Sequence, residues 1–299
     1  MNIFITGAGG FIGGSIAAAL TEAGHHVRGL TRSAAAAERL AALGIEPVSG
    51  TLDDAEVLIR AAHSADAVIN AASSDHAGAV SALIEGLQGS TKALLHTSGS
   101  SVVGDDARGA FRSERVFDEY TPFEVSATKQ PRRNIDLQVL AAAQRGVRSV
   151  VICPSLIYGV GRGLNPNSVQ IPFLVANARQ NGVVQVVGDG KNVWSNVHID
   201  DVVNLYLTAL SSATAGSFYF AESGEASFSE LGAAIARRLG LPGVEGLPPD
   251  EAAQRWGMSK AYYTLGSNSR VRARRARSDL GWQPKHTSVL NWIDSSMPV

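Results

Sequence analysis

MNIFITGAGGFIGG, residues 1–14, decides the fold. Ile3, Phe4 and Ile5 run together between the chain terminus and a glycine turn, which predicts a short buried strand over Asn2–Thr6. Beyond the turn, Phe11, Ile12, Ile16 and Leu20 recur at helical spacing, and Gly24 offers a stop. Strand, glycine turn and helix in this order make a phosphate site. Gly7 makes the tight turn, Gly10 lets backbone approach a pyrophosphate, and Gly13 lets the helix pack close to its strand. The unpaired N–H groups of the helix start then face the phosphate, and the helix dipole favours its charge. Glycine-rich turns also occur in proteins that bind nothing; the flanking strand and helix are what give this one meaning.

The spacing Thr6-Gly7-x-x-Gly10-x-x-Gly13 resembles the extended and atypical short-chain dehydrogenase/reductases, which include the NAD-dependent epimerases and dehydratases. ADAVINAA (residues 65–72), CPSLIYG (153–159) and NVHIDDV (196–202) are similar to that family's fourth strand, its strand after the catalytic helix and a late segment. The likeness covers most of the chain. It implies an α/β fold, a Rossmann-type doubly wound parallel sheet with a smaller C-terminal substrate-binding domain. Residues 1–160 and 193–215 would form the dinucleotide-binding domain, and 161–192 with 216–299 the substrate-binding region.

The chain has 299 residues, 45% of them hydrophobic and 18% charged, enough to bury a large core. A formal net charge of -1 gives no basic field for nucleic acid and no acidic excess for disorder. The single cysteine, Cys153, excludes an internal disulfide framework, and no membrane-length apolar run or signal segment is evident. A cytoplasmic monomer or homodimer is expected, with no membrane or nucleic-acid partner and no metal-ligand spacing.

About twenty residues past the glycine turn, an acidic side chain would bind the ribose of NAD, whereas a basic one accommodates the 2′-phosphate of NADP. The sequence has Thr31, Arg32 and Ser33 there. A guanidinium holds a phosphate through paired hydrogen bonds, so NADP(H) is expected over NAD(H); otherwise Arg32 is a solvated loop residue. In the family the turn after the third strand flanks adenine, so the resemblance implies that Leu52 covers the ring and Asp53 accepts from its amino group; otherwise Asp53 caps the next helix. Ala71, Ala72 and Ser73 would lie under the phosphates and ribose. The resemblance adds Phe11, Ile12 and Thr97 to the cofactor contacts, and Pro154, Ser155 and Leu156 beside the nicotinamide.

Hydride addition to a carbonyl leaves an alkoxide that must be stabilised or protonated. In the family a serine or threonine after the fifth strand and a Tyr-x-x-x-Lys motif do this. Ser98, Ser100 and Ser101 are candidates for the first role; counting back from Gly104 in the family manner lands on Gly99. The tyrosine and lysine are absent: superposing the family's helix puts Thr128 and Arg132 in their places. This resembles an atypical subgroup with a basic pair, commonly His-x-x-x-Arg. Arg132 stays cationic and can hold the nicotinamide ribose or an alkoxide, but does not readily give up a proton. Pro131 marks a first helical turn, placing Thr128 ahead of the helix.

Downstream, residues 161–170 form a wall over the substrate, and His198 reads as a half-buried structural residue. Trp256, Tyr262 and Tyr263 provide apolar surface for a hydrophobic ligand or ordinary packing. The arginines between 270 and 277 read as an exposed helix face. The expectation is therefore an NADPH-dependent carbonyl or ketone reductase acting on a small hydrophobic substrate. A nucleotide-sugar epimerase or dehydratase and a non-catalytic NADP-sensing regulator are the alternatives.

Overall fold

The computed structural model of the chain describes residues 1–298. The first half alternates strand and helix: β1 (Asn2–Thr6), α1 (Phe11–Glu22), β2 (His26–Thr31), α2 (Ala34–Ala42), β3 (Glu46–Ser49), α3 (Ala55–Ser64), β4 (Ala67–Asn70), α4 (Ala77–Leu87) and β5 (Ala93–Thr97). After a long loop come α5 (Gln130–Ala141), β6 (Arg148–Pro154), β7 (Leu156–Tyr158), α6 (Gln170–Asn181), β8 (Val184–Val187), β9 (Val193–His198), α7 (Ile199–Ser212) and β10 (Ser217–Ala221). The chain ends with β11 (Gly224–Ser227), α8 (Phe228–Leu239), β12 (Val244–Leu247), α9 (Pro249–Trp256), α10 (Arg274–Leu280) and α11 (Val289–Ser295).

Seven strands form one parallel sheet in the order β10-β6-β5-β4-β1-β2-β3. The order reverses between β1 and β4, the switch point where ligands of such sheets bind. Ile3, Phe4, Ile5, Val68 and Ile69 are almost wholly buried, as expected for strands covered by helices on both faces. The doubly wound expectation is met. The sequence division assigns residues from 216 onward to the substrate region, but β10 hydrogen-bonds to β6 as the edge of the large sheet. Nothing local in Phe218–Phe220 marks this, because the pairing partner lies some seventy residues away.

A second core packs α6, α8 and α11 around β8, with Leu174, Val186, Leu231, Ile235 and Ile293 at its centre. The three-stranded sheet β11-β9-β7 and the pair β12-β8 complete this smaller layer. Ser227 and Glu230 start α8 with a reciprocal capping box, and Gly240 ends it in the left-handed conformation.

The two halves are pinned together by Asp201 on α7, whose side chain is 5% exposed. Its carboxylate accepts from the backbone N–H groups of Lys285 (2.8 Å) and His286 (2.9 Å), and Trp282 Nε1 donates to its carbonyl (3.0 Å). Replacing it by alanine removes the acceptor of two part-buried donors, which water reaches in part, at a cost of roughly 1 kcal/mol each. Asp201→Ala is therefore expected to lower the urea midpoint with an unchanged slope; an unchanged midpoint would show that the C-terminal segment is held elsewhere.

Candidate functional site

The glycine turn is shaped as its sequence requires. Gly7 has φ +80°, and a Cβ there would lie 2.7 Å from the Ala71 carbonyl carbon. A Cβ on Gly13 would run into the Gly7 carbonyl, 2.8 Å from its carbon. Gly10 is the N-cap of α1 with no side chain capping it, so the first amides of the helix are left for an anion.

These amides open onto a cavity of about 690 Å³ lined by Gly7, Gly10, Thr31, Arg32, Ser33, Leu52, Asp53, Ala71 and Ala72. Nine residues expected at the cofactor thus share one cavity. Gly9, His76 and Leu164 join them unforeseen. Leu164 belongs to the 161–170 segment expected over the substrate. That segment lies on α1 instead: Arg162 N–H donates to Ser15 Oγ (3.1 Å), and a Cβ on Gly163 would meet Gly14 Cα at 2.6 Å. Arg162 also pairs with Glu22.

Asp53 does not cap α3; Asp54 is the N-cap residue, and Asp53 Oδ1 lies 3.1 Å from His76 Nε2. Ser33 Oγ accepts from Ala36 N–H and caps α2, while Arg32 is exposed. Ser73 Oγ accepts from the backbone N–H of Asp75. Thr97, Pro154, Ser155 and Leu156 are buried and do not line the cavity; Thr97 Oγ1 meets Tyr206 OH at 2.6 Å and Ser155 Oγ donates to Ala221 O.

The three serines after β5 have separate fates. Ser100 is 1% exposed and bonded to Ser269 Oγ at 2.7 Å, which ties this loop to the C-terminal segment. Ser98 Oγ donates to Asp136 Oδ2 at 3.0 Å. Ser101 Oγ accepts from Arg132 Nη1 at 2.9 Å. Arg132 in turn holds Asp75 with two bonds, Nε to Oδ1 at 2.8 Å and Nη2 to Oδ2 at 2.6 Å. A guanidinium and a carboxylate match in this paired geometry. The Asp75 carboxyl accordingly lies below its usual range, chiefly through its bond to Arg132, with burial opposing.

Helix α5 starts with Lys129 at its N-cap and Pro131 in its first turn. Thr128 thus precedes the helix, exposed, with Oγ1 3.1 Å from Ser126 Oγ, and is not brought to Arg132. Asp75 and Asp136 were missed from the sequence. Asp136 stands four residues after Arg132, one helical turn along and on the same face, beside apolar Ile135 and Val139; an acid in that company is the signal that could have found it. Among the described residues, His198, Asp200 and His286 could gather around a metal ion. The two imidazoles are stacked, with ring centroids 3.9 Å apart, so their lone pairs run side by side instead of converging.

The model of the NAD dependent epimerase/dehydratase family matches residues 3–219. The chain belongs to that family. This epimerase/dehydratase family member is an NAD(P)-dependent oxidoreductase, as its family and fold indicate. It is 34% identical to the oxidase ucsJ of Acremonium sp over 95% of this chain and 92% of that protein. It is 32% identical to the Schizosaccharomyces pombe protein C2A9.02 over 99% of both. Among solved structures, dTDP-glucose 4,6-dehydratase from Bacillus anthracis in complex with NAD superposes with a TM-score of 0.78 at 20% identity, covering 98% of this chain and 94% of that one.

Two expectations are corrected by these likenesses. The similar structures that name a nicotinamide name NAD, against the expected NADP(H). In the cavity Arg32 is the one lysine or arginine, and the Ser33 oxygen is taken up as a helix cap. The named sugars are UDP- or dTDP-linked, against the expected small hydrophobic carbonyl compound. The aromatic residues offered for such a ligand are occupied: Tyr262 bonds Asp250 under Arg108, and Trp256 packs edge-on against Phe173. No helix among the described residues is long and apolar enough to cross a membrane.

Proposed function

We propose that this oxidoreductase uses NAD to oxidise a hydroxyl-bearing carbon of a nucleotide-linked sugar, as the first step of an epimerase- or dehydratase-type reaction. The observation that carries the reading is a second cleft of about 290 Å³ beyond Ser101, lined by Asp105, Ser113, Arg115, Glu124, Ser126, Asn268 and Arg270 together with Val103, Phe117 and Val125. Its two arginines and its hydroxyls suit the phosphates and hydroxyls of such a ligand, and Phe117, Val103 and Val125 give the apolar part of the wall. NAD, bound with its pyrophosphate on the α1 amides, supplies a hydride acceptor. Arg132 and Ser101 then face the sugar oxygen and the nicotinamide ribose; the guanidinium stabilises negative charge on that oxygen without giving up a proton. The oxidative direction agrees with the relative named an oxidase.

Reduction of a ketone on a polar compound, the same step reversed, is a second reading. It is favoured by a relative named 2-alkyl-3-oxoalkanoate reductase, from Stenotrophomonas maltophilia, 29% identical over 82% of this chain. To test the first reading, purified protein is incubated with NAD⁺ and UDP-glucose or dTDP-glucose, with nicotinamide absorbance and the sugar product followed. A keto or epimerised sugar is expected. Firm NAD binding with neither sugar changed, but NADH consumed by a ketone, would replace the first reading by the second.

A further inference from the structure

Oxidising a hydroxyl releases a proton, and position 128 has no phenol to take it. The inference below rests on the proposed function. One turn below Arg132, Asp136 is fully buried. Its Oδ2 accepts from Ser98 Oγ at 3.0 Å, and its Oδ1 has no partner. That oxygen faces His96 Nε2 at 3.9 Å, an atom that is also unpartnered. The tautomer of His96 follows from its other side. Thr6 Oγ1 donates to Asn70 Oδ1, which leaves Asn70 Nδ2 to donate to His96 Nδ1 at 2.9 Å. The imidazole proton is therefore on Nε2, aimed at Asp136. Burial holds His96 down to about 4, so the ring is neutral and forms no ion pair.

A buried carboxylate with no cation bonded to it is a poor structural element, since packing alone is served as well by an amide. We propose that Ser98 and Asp136 form a proton relay in place of the missing tyrosine, with Ser98 passing on the proton of the substrate hydroxyl and Asp136 as the positioning residue that stores it. In the oxidative step the carbinol C–H bond breaks and its hydride goes to the nicotinamide. The O–H bond breaks and its proton goes to Ser98 Oγ. The proton that Ser98 held moves to Asp136, which ends as a neutral acid, and reduction runs the same path backwards.

The surroundings suit this. Burial raises the Asp136 carboxyl to about 6, with Ser98, Arg133 and Arg132 opposing and Asp75 adding to the rise. Facing it from β5 is neutral His96. From β6 comes Cys153, whose thiol burial pushes well above its ordinary value, so it is neutral too. A carboxyl near 6 takes a proton from a serine more readily than one at 3.8.

The test combines calorimetry with a pH profile. NAD⁺ brings a positive ring that NADH lacks, so near pH 6 its binding is expected to release up to about half a proton more than NADH binding. The measurement is made in buffers of different ionisation heat. Asp136→Asn keeps an acceptor for Ser98 and is expected to bind NADH normally while losing that extra release. In the oxidation of UDP-glucose, wild type should show an acid limb below pH 6, because Asp136 must be ionised to accept and the bound NAD⁺ lowers its titration. Asp136→Asn should lose the limb and at least tenfold in rate, and Asp136→Glu should restore part of both. Ser98→Ala, which removes a bond that favours the carboxylate, should move the proton release to higher pH. Release or an acid limb unchanged in Asp136→Asn overturns the relay. Normal release with no sugar turned over overturns the substrate reading alone, and absence of NAD binding overturns both.

Discussion

Gly13→Ala is expected to weaken NAD binding by at least about a hundredfold while leaving a folded protein. The added methyl has nowhere to go: it would run into the Gly7 carbonyl and lie 3.3 Å from the Ala71 side chain. Two of these contacts are backbone and cannot rotate away, so α1 must move off the turn. Overpacking of this kind costs about 1–3 kcal/mol, of which alanine's better helix propensity returns up to about 1. The displaced amides then no longer converge on the pyrophosphate, and about 2.8 kcal/mol of lost binding is a factor of a hundred. Calorimetry with NAD and a thermal melt read the two effects separately. A variant that melts normally and binds NAD at wild-type affinity would show that Gly13 does not set the distance between helix and phosphate.

That glycine was legible in the sequence because its reason is local: turn, strand and helix lie within fourteen residues. The alternation that builds the parallel sheet is legible for the same cause, since each strand carries its own apolar run. Partnerships across the chain are not. Ser98, Ser100 and Ser101 stand within four residues, yet their oxygens go to Asp136, Ser269 and Arg132, and no spacing rule separates them. Alternation along β5 puts Thr97 on the side of Tyr206 and His96 on the side of Asn70. Only the packing of α5 says which side holds the chemistry. The same is true of Arg132, whose basic character suggested a free cation, whereas its partner Asp75 is 57 residues away on the loop after β4.

Arg132→Ala is expected to lower kcat/KM by about two to three orders of magnitude, the effect of removing one preorganised donor from a developing oxyanion. The stability of the fold should change little. Asp75 is 57% exposed at its side chain, so water replaces the lost guanidinium there, and a partly exposed pair contributes at most about 1 kcal/mol. Arg132→Lys keeps the charge but not the fork that spans Asp75 and Ser101, so it should recover the binding of NAD better than the rate. Asp75→Asn separates the two jobs of the guanidinium. If Asp75 only orients Arg132, this change lowers kcat with Arg132 still cationic. If instead the pair blocks the nicotinamide until NAD displaces it, freeing Arg132 should tighten NAD binding. The sign of the change in NAD affinity distinguishes these. Turnover that survives Arg132→Ala undiminished would remove this residue from the site and leave the oxyanion to Ser98 and Ser101.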